Sequence, residues 1–116
     1  MIKELWDKTV ESDLDNLNNS EKRVIFDWPL NAIAKILNWR KRFYKNGGLN
    51  IIGNKTVLPF KFCEEIYEGK KCMVFDYGIM KDYVRKLPNN KEWIGFLLNH
   101  KNEIILWFKL TDMKTK

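Results

Sequence analysis

Among the 116 residues there are two cysteines, one histidine, three prolines and four arginines, and each scarcity removes a class of protein. The lone histidine, His100, falls in a predicted turn, Asn99-His100-Lys101-Asn102, with no second imidazole or acidic partner at a recognisable spacing. A histidine-based triad or a zinc site therefore has no support, and no catalytic residue, metal ligand or cofactor is assigned. Cys63 and Cys72 match neither a zinc ribbon nor a redox pair. If their hairpin turns at Gly69-Lys70, Tyr67 faces Cys72 and Cys63 faces Asp76. The thiols would then lie about four residues out of register, roughly 12 Å apart, too far for a disulfide. Free thiols fit a reducing cytoplasm.

Long apolar runs are also missing. The longest, Ile104-Ile105-Leu106-Trp107-Phe108, is far short of the roughly 20 residues that span a bilayer. The first seven residues carry charge and lack the apolar core of a secretory signal, so a cytoplasmic chain with no membrane span is expected. The scarcity of arginine bears on charge. The net charge is +6, split as −4 over residues 1–21 and +10 over residues 22–116, which invites an acidic partner or nucleic acid. Bidentate recognition of bases and phosphates relies on arginine, and here the cations are mostly lysine, as on a solvated face. The mixture of Trp39, Phe43 and Tyr44 with Arg40-Lys41-Arg42 reads as helical core aromatics beside that face, so nucleic acid is disfavoured.

What is abundant is apolar and aromatic: 45% hydrophobic residues and 14% aromatic, enough for a core without cross-links. No linker, repeat or low-complexity stretch divides the chain, so a single domain over residues 1–116 is expected. Ile2, Trp6, Val10, Leu14 and Leu17 recur at helical spacing, predicting one helix or two short ones over residues 2–17. Residues 24–28 are β-prone. From Pro29 the spacing of Leu30, Ile33, Ala34, Leu37 and Phe43 predicts a helix closed by Gly47-Gly48. Residues 1–46 are thus read as mainly helical. Residues 54–112 are read as antiparallel strands, with Pro59 marking an edge or irregular strand. The last two strands are apolar on both faces, Trp93 and Leu97 against Ile94, Phe96 and Leu98, so the sheet must be covered or must curl around an interior. The expected fold is α+β: N-terminal helices packed on a curled antiparallel β-meander, a partial barrel. Free strand edges would let two subunits pair as a homodimer.

Several segments in order carry a family resemblance: Leu5-Trp6-Asp7, Asp13-Leu14-Asp15-Asn16-Leu17, Pro29-Leu30-Asn31, Leu37-Asn38-Trp39 and Lys41-Arg42-Phe43-Tyr44. Glu65-Ile66-Tyr67-Glu68-Gly69, Met73-Val74-Phe75-Asp76-Tyr77 and the run from Ile79 to Lys86 continue it, with Gly95 in the strand that follows. Together they resemble the GXWXG-type family of small bacterial proteins, whose C-terminal half is a domain of unknown function. The namesake Gly-x-Trp-x-Gly would fall near residues 18–23, which here read Asn-Asn-Ser-Glu-Lys-Arg. The resemblance implies a compact, partly barrelled antiparallel sheet and no particular reaction.

The function that best fits these features is binding of a small apolar or amphipathic molecule. Trp28, Tyr77, Tyr83, Trp93 and Trp107 are the candidate cavity residues, with Asp82 and Arg85 as polar anchors. The structural reading, a cross-strand ion pair of Asp82 and Arg85 on the solvent face, is the favoured one for these two charges taken alone. The alternative is a basic interaction module for an acidic partner or nucleic acid. An enzyme using Asp76 or Asp82 as acid or base has the least support, because neither belongs to a recognisable pair.

Overall fold

The computed structural model describes residues 1–13 and 16–113. A 3-10 helix, Ile2–Lys8, precedes strand β1 (Glu21–Phe26), helix α1 (Leu30–Ile36), β2 (Arg40–Phe43) and β3 (Gly47–Ile52). Then follow β4 (Lys55–Tyr67), β5 (Lys70–Asp76), β6 (Lys81–Lys86), β7 (Glu92–Leu98) and β8 (Ile104–Asp112). Each strand pairs antiparallel with the next, and β1 pairs with β8 from Lys22↔Asp112 to Phe26↔Phe108, so the sheet closes into an eight-stranded barrel.

The expected α+β architecture is therefore overturned: the described residues are mostly strand, with two short helices and a complete barrel. The N-terminal helix stops at Lys8 because the next backbone groups bond elsewhere. Val10 N–H donates to Lys86 O at 2.8 Å and Lys86 N–H to Val10 O at 3.2 Å. Leu14 of the expected helical face lies outside the described residues. The helix begun after Pro29 ends at Ile36, two residues before Asn38 takes a left-handed φ of 51°. Beyond it, residues 40–43 alternate instead of winding, with Lys41 and Phe43 buried. Gly47-Gly48 does not terminate a helix. It opens β3 where neighbouring strands come close: a Cβ on Gly48 would sit 2.3 Å from Arg42 O and 2.6 Å from the Phe60 ring.

Closure also removes the free edges on which dimer pairing was to rest. Pro59 sits at a bulge, not an edge. Gly48 pairs with Phe60 and Asn50 with Val57, so β4 carries one residue more than β3, and Leu58 takes a φ of 48°. The β4–β5 hairpin turns at Glu68-Gly69, not Gly69-Lys70. Tyr67 pairs with Lys70, Cys63 with Val74 and Cys72 with Glu65, and both thiols are free.

Two cores follow from the two apolar faces. Inside the barrel, Phe43, Phe60, Phe62 and Phe75 form a contiguous aromatic group with ring centroids 4.8–6.0 Å apart. Met73, Val84, Trp93 and Leu110 extend it, and Leu17, on the connection into β1, is fully buried in the same cluster. That end of the barrel, where β2 meets β3 and β6 meets β7, is filled. Outside, the 3-10 helix lays Ile2 and Trp6 over Val74, Ile94 and Phe96. Trp6 meets the rings of Phe96 and Trp107 edge-on at 5.1 and 5.7 Å. No helix among the described residues is long and apolar enough to cross a membrane.

Candidate functional site

At the opposite end, where α1 and the β3–β4 and β5–β6 turns lie, the interior is not filled. A cavity of about 290 Å³ is walled by Val24 and Phe26 of β1, Leu97 of β7, and Leu106 and Phe108 of β8. Leu58 and Ile79 line it and are also half or more exposed, so they form its rim. Two depressions of about 410 and 580 Å³, one beside α1 and one beside Pro59 and Gly78, are more polar, and neither is lined by Lys41 or Asp82.

Lys41, Asn50, Tyr77 and Asp82 line the same cavity. They come from β2, β3, the position just after β5, and β6, and alternation turns the strand residues inward. Lys41 Nζ lies 2.7 Å from Asn50 Oδ1, 2.6 Å from Tyr77 Oη and 3.3 Å from Asp82 Oδ2. Tyr77 Oη donates to Asp82 Oδ2 at 2.7 Å. Asn50 Nδ2 donates to Leu58 O at 3.1 Å and to Tyr77 Oη at 3.3 Å, while Trp39 Nε1 donates to Asn50 Oδ1 at 3.0 Å. The bulge at Leu58 therefore has a consequence for the site, since it brings a backbone carbonyl within reach of the buried amide.

Burial shapes the electrostatics of this cluster. Loss of water pushes the Lys41 ammonium below its ordinary pKa, with Asp82 opposing the shift. The same loss pushes Asp82 up, opposed by Lys41 and the Tyr77 hydroxyl. Tyr77 is raised, first by burial and then by the charge of Asp82, so its hydroxyl stays protonated and serves as a donor. The rings of Phe60, Tyr77 and Phe108 lie within 5.4–5.6 Å of Lys41 Nζ and add cation–π contacts. The arrangement is a polar spot with no net charge on the wall of an apolar space, suited to orienting one polar group of a ligand.

Of the residues singled out in the sequence, Tyr77 and Asp82 lie in this cavity. The others do not join them. Trp28 is 84% exposed beyond β1. Trp93 belongs to the filled end, with its Nε1 on Ser12 Oγ at 3.3 Å. Tyr83 and Trp107 belong to the outer core. Arg85 is also on the outer face, where its guanidinium holds Thr9 Oγ1 at 2.9 Å and Thr9 O at 3.3 Å. It therefore anchors the N-terminal segment and does not pair with Asp82. Asp76 accepts from Gly78 N–H in the β5–β6 turn, and His100 is exposed in the β7–β8 turn. Asn50 was not singled out in the sequence, and Trp39 and Lys41 were read there as a helical core aromatic and part of a solvated face. The signal that could have found them is the alternation Arg40-Lys41-Arg42-Phe43, which sets Lys41 on the face of a core phenylalanine.

Some of the basic side chains are paired locally. Arg40 and Arg42 share Glu21, Lys71 pairs with Glu64, Lys81 with Glu65, Lys109 with Glu92 and Lys22 with Asp112. Among the described residues, no group of three or more His, Cys, Asp or Glu side chains could hold a metal ion.

In architecture the chain is an eight-stranded up-and-down β-barrel, filled at one end and hollow at the other. It is similar to the crystal structure of a protein from Thermomonospora curvata, with a TM-score of 0.68 and 19% identity over 97% of this chain and 85% of that one. At that identity the likeness concerns the fold alone. No family model matches the chain, and no curated protein does.

Proposed function

We propose that this barrel is a binding domain for a small apolar or amphipathic molecule, held in the cavity at its open end. The observation that carries the reading is the pairing of an apolar space of about 290 Å³ with one buried polar cluster on its wall. Barrels of eight strands have interiors just wide enough either to be filled by side chains or to hold one small ligand. Here both occur, at different ends. The two free thiols suit a reducing compartment such as the cytoplasm, and the resemblance to the GXWXG-type family adds no reaction to the reading.

Native mass spectrometry of the protein as isolated, set against its denatured mass, tests the proposal. The expected result is an excess mass of a few hundred daltons or less that is lost on denaturation, or uptake of an added ten-carbon amphiphile. A Leu97→Trp variant, which fills the cavity with a larger side chain, should show neither. If the wild-type barrel carries nothing and takes up no apolar probe, the binding role is wrong.

A further inference from the structure

We propose that the cavity takes a neutral, mainly apolar molecule whose polar end carries a hydroxyl or N–H donor, received by Asp82 Oδ1, and that it discriminates against carboxylates. The inference rests on the binding role above and names the chemistry of that ligand.

It follows from counting hydrogens. An ammonium has three, and those of Lys41 face Asn50 Oδ1, Tyr77 Oη and Asp82 Oδ2. The single Tyr77 hydroxyl hydrogen goes to Asp82 Oδ2. Both amide hydrogens of Asn50 are taken, by Leu58 O and Tyr77 Oη, and the Trp39 indole N–H by Asn50 Oδ1. Every donor on the polar wall is thus spent within the protein, and none is left for an acceptor on a ligand. Asp82 has both its donors on Oδ2, and among the described residues no hydrogen bond reaches its Oδ1. That oxygen is not sealed away: the one described side-chain polar atom both buried and unbonded is Asn18 Oδ1. Asp82 Oδ1 therefore looks onto the cavity that Asp82 lines.

Charge points the same way. Lys41 and Asp82 compensate each other, so a ligand carboxylate would meet a like charge, with no second cation among the described residues lining the cavity to offset it. A hydroxyl instead supplies the one bond the wall lacks. At roughly 30 Å³ per heavy atom, about ten such atoms fit the space.

The test compares three ten-carbon probes on the wild-type barrel by isothermal titration calorimetry at pH 7.5: 1-decanol, decanoate and methyl nonyl ether. The alcohol should bind about tenfold or more tighter than either of the others, the scale of one hydrogen bond to a charged acceptor. Equal or tighter binding of decanoate or of the ether overturns the assignment while leaving the binding role intact. Binding by none of the three removes both. In Asp82→Asn, with Lys41 left without its counter-charge, the advantage of alcohol over acid should shrink at least tenfold. The wild-type comparison stands even if that variant does not fold.

Discussion

Lys41 Nζ stands 3.3 Å from Asp82 Oδ2 with the two side chains 6% and 4% exposed, a compensated charge pair inside an otherwise apolar barrel. Such a pair contributes little net stability, but its halves are costly alone. Lys41→Met should lower stability by about 3 kcal/mol at pH 8, the low end for removing one partner of a buried pair. Burial already raises the pKa of Asp82, and losing Lys41 removes the main opposition. In the variant the folded protein then binds a proton that the unfolded chain has released. Its stability is fully present below the unfolded carboxylate pKa and is lost as pH rises through the folded value. Urea denaturation should find the deficit smaller at pH 5 than at pH 8; an equal deficit at both would mean that Asp82 is not left uncompensated.

The aromatic content, the strand pattern after Gly53 and the two-faced apolarity of β7 and β8 were legible in the sequence. Much of both faces is covered, one by the barrel interior and the other by Ile2 and Trp6, while Ile104 and Ile105 at the start of β8 stay exposed. Closure was not legible, because it depends on β1 meeting β8 some ninety positions away, as in the Lys22–Asp112 pair, and no local pattern encodes such a pairing. Lys41 was misread for a related reason. Residues 29–46 carry apolar side chains at both helical and strand spacing, and only pairing with β1 and β3 decides for strand over residues 40–43. Trp28 and Trp39 lie on the same connection and are the same residue type. One is exposed and the other lines the cavity because of which way the chain turns around α1.

Cys72 is 1% exposed on the outer face, and burial pushes its thiol up to about 11. A thiolate is therefore nearly absent at pH 8, and the sulfur is also out of reach of reagents. Iodoacetamide at pH 8 should leave Cys72 unmodified in the native protein and alkylate it readily in urea, as peptide mass mapping would show. Because the folded value is the higher one, Cys72 contributes stability below about pH 9 that is lost as pH rises through about 11. Native labelling of Cys72 at the unfolded rate would mean that the N-terminal segment does not cover this face.

Gly95 lies in β7 opposite Val84, and a Cβ built there would come within 2.6 Å of the Phe108 ring and 3.0 Å of Tyr83 O. The ring is 2% exposed and packed inside the barrel, so it cannot yield without disturbing the cavity wall that it also forms. Gly95→Ala should destabilise the fold by about 1–3 kcal/mol through overpacking, despite the better strand propensity of alanine. Chemical denaturation measures this directly. A neutral or stabilising result would show that Phe108 has somewhere to go, which in this structure can only be the cavity.

Trp6 fixes the 3-10 helix to the outer wall through Phe96 and Trp107, while Arg85 and the Val10–Lys86 bridge hold the segment just after it. Trp6→Ala should cost about 3–5 kcal/mol, as for other buried tryptophans. Its effect should also be local: hydrogen exchange at the Val10 amide, which bonds Lys86 O, should accelerate much more than at amides of the filled barrel end such as Phe43. The cavity lies on the inner face of the same wall, lined there by Leu97, Leu106 and Phe108. Ligand uptake should therefore survive the substitution at temperatures where the barrel remains folded. Uniform acceleration across all strands would instead make the N-terminal segment an inseparable part of the barrel's cooperative unit.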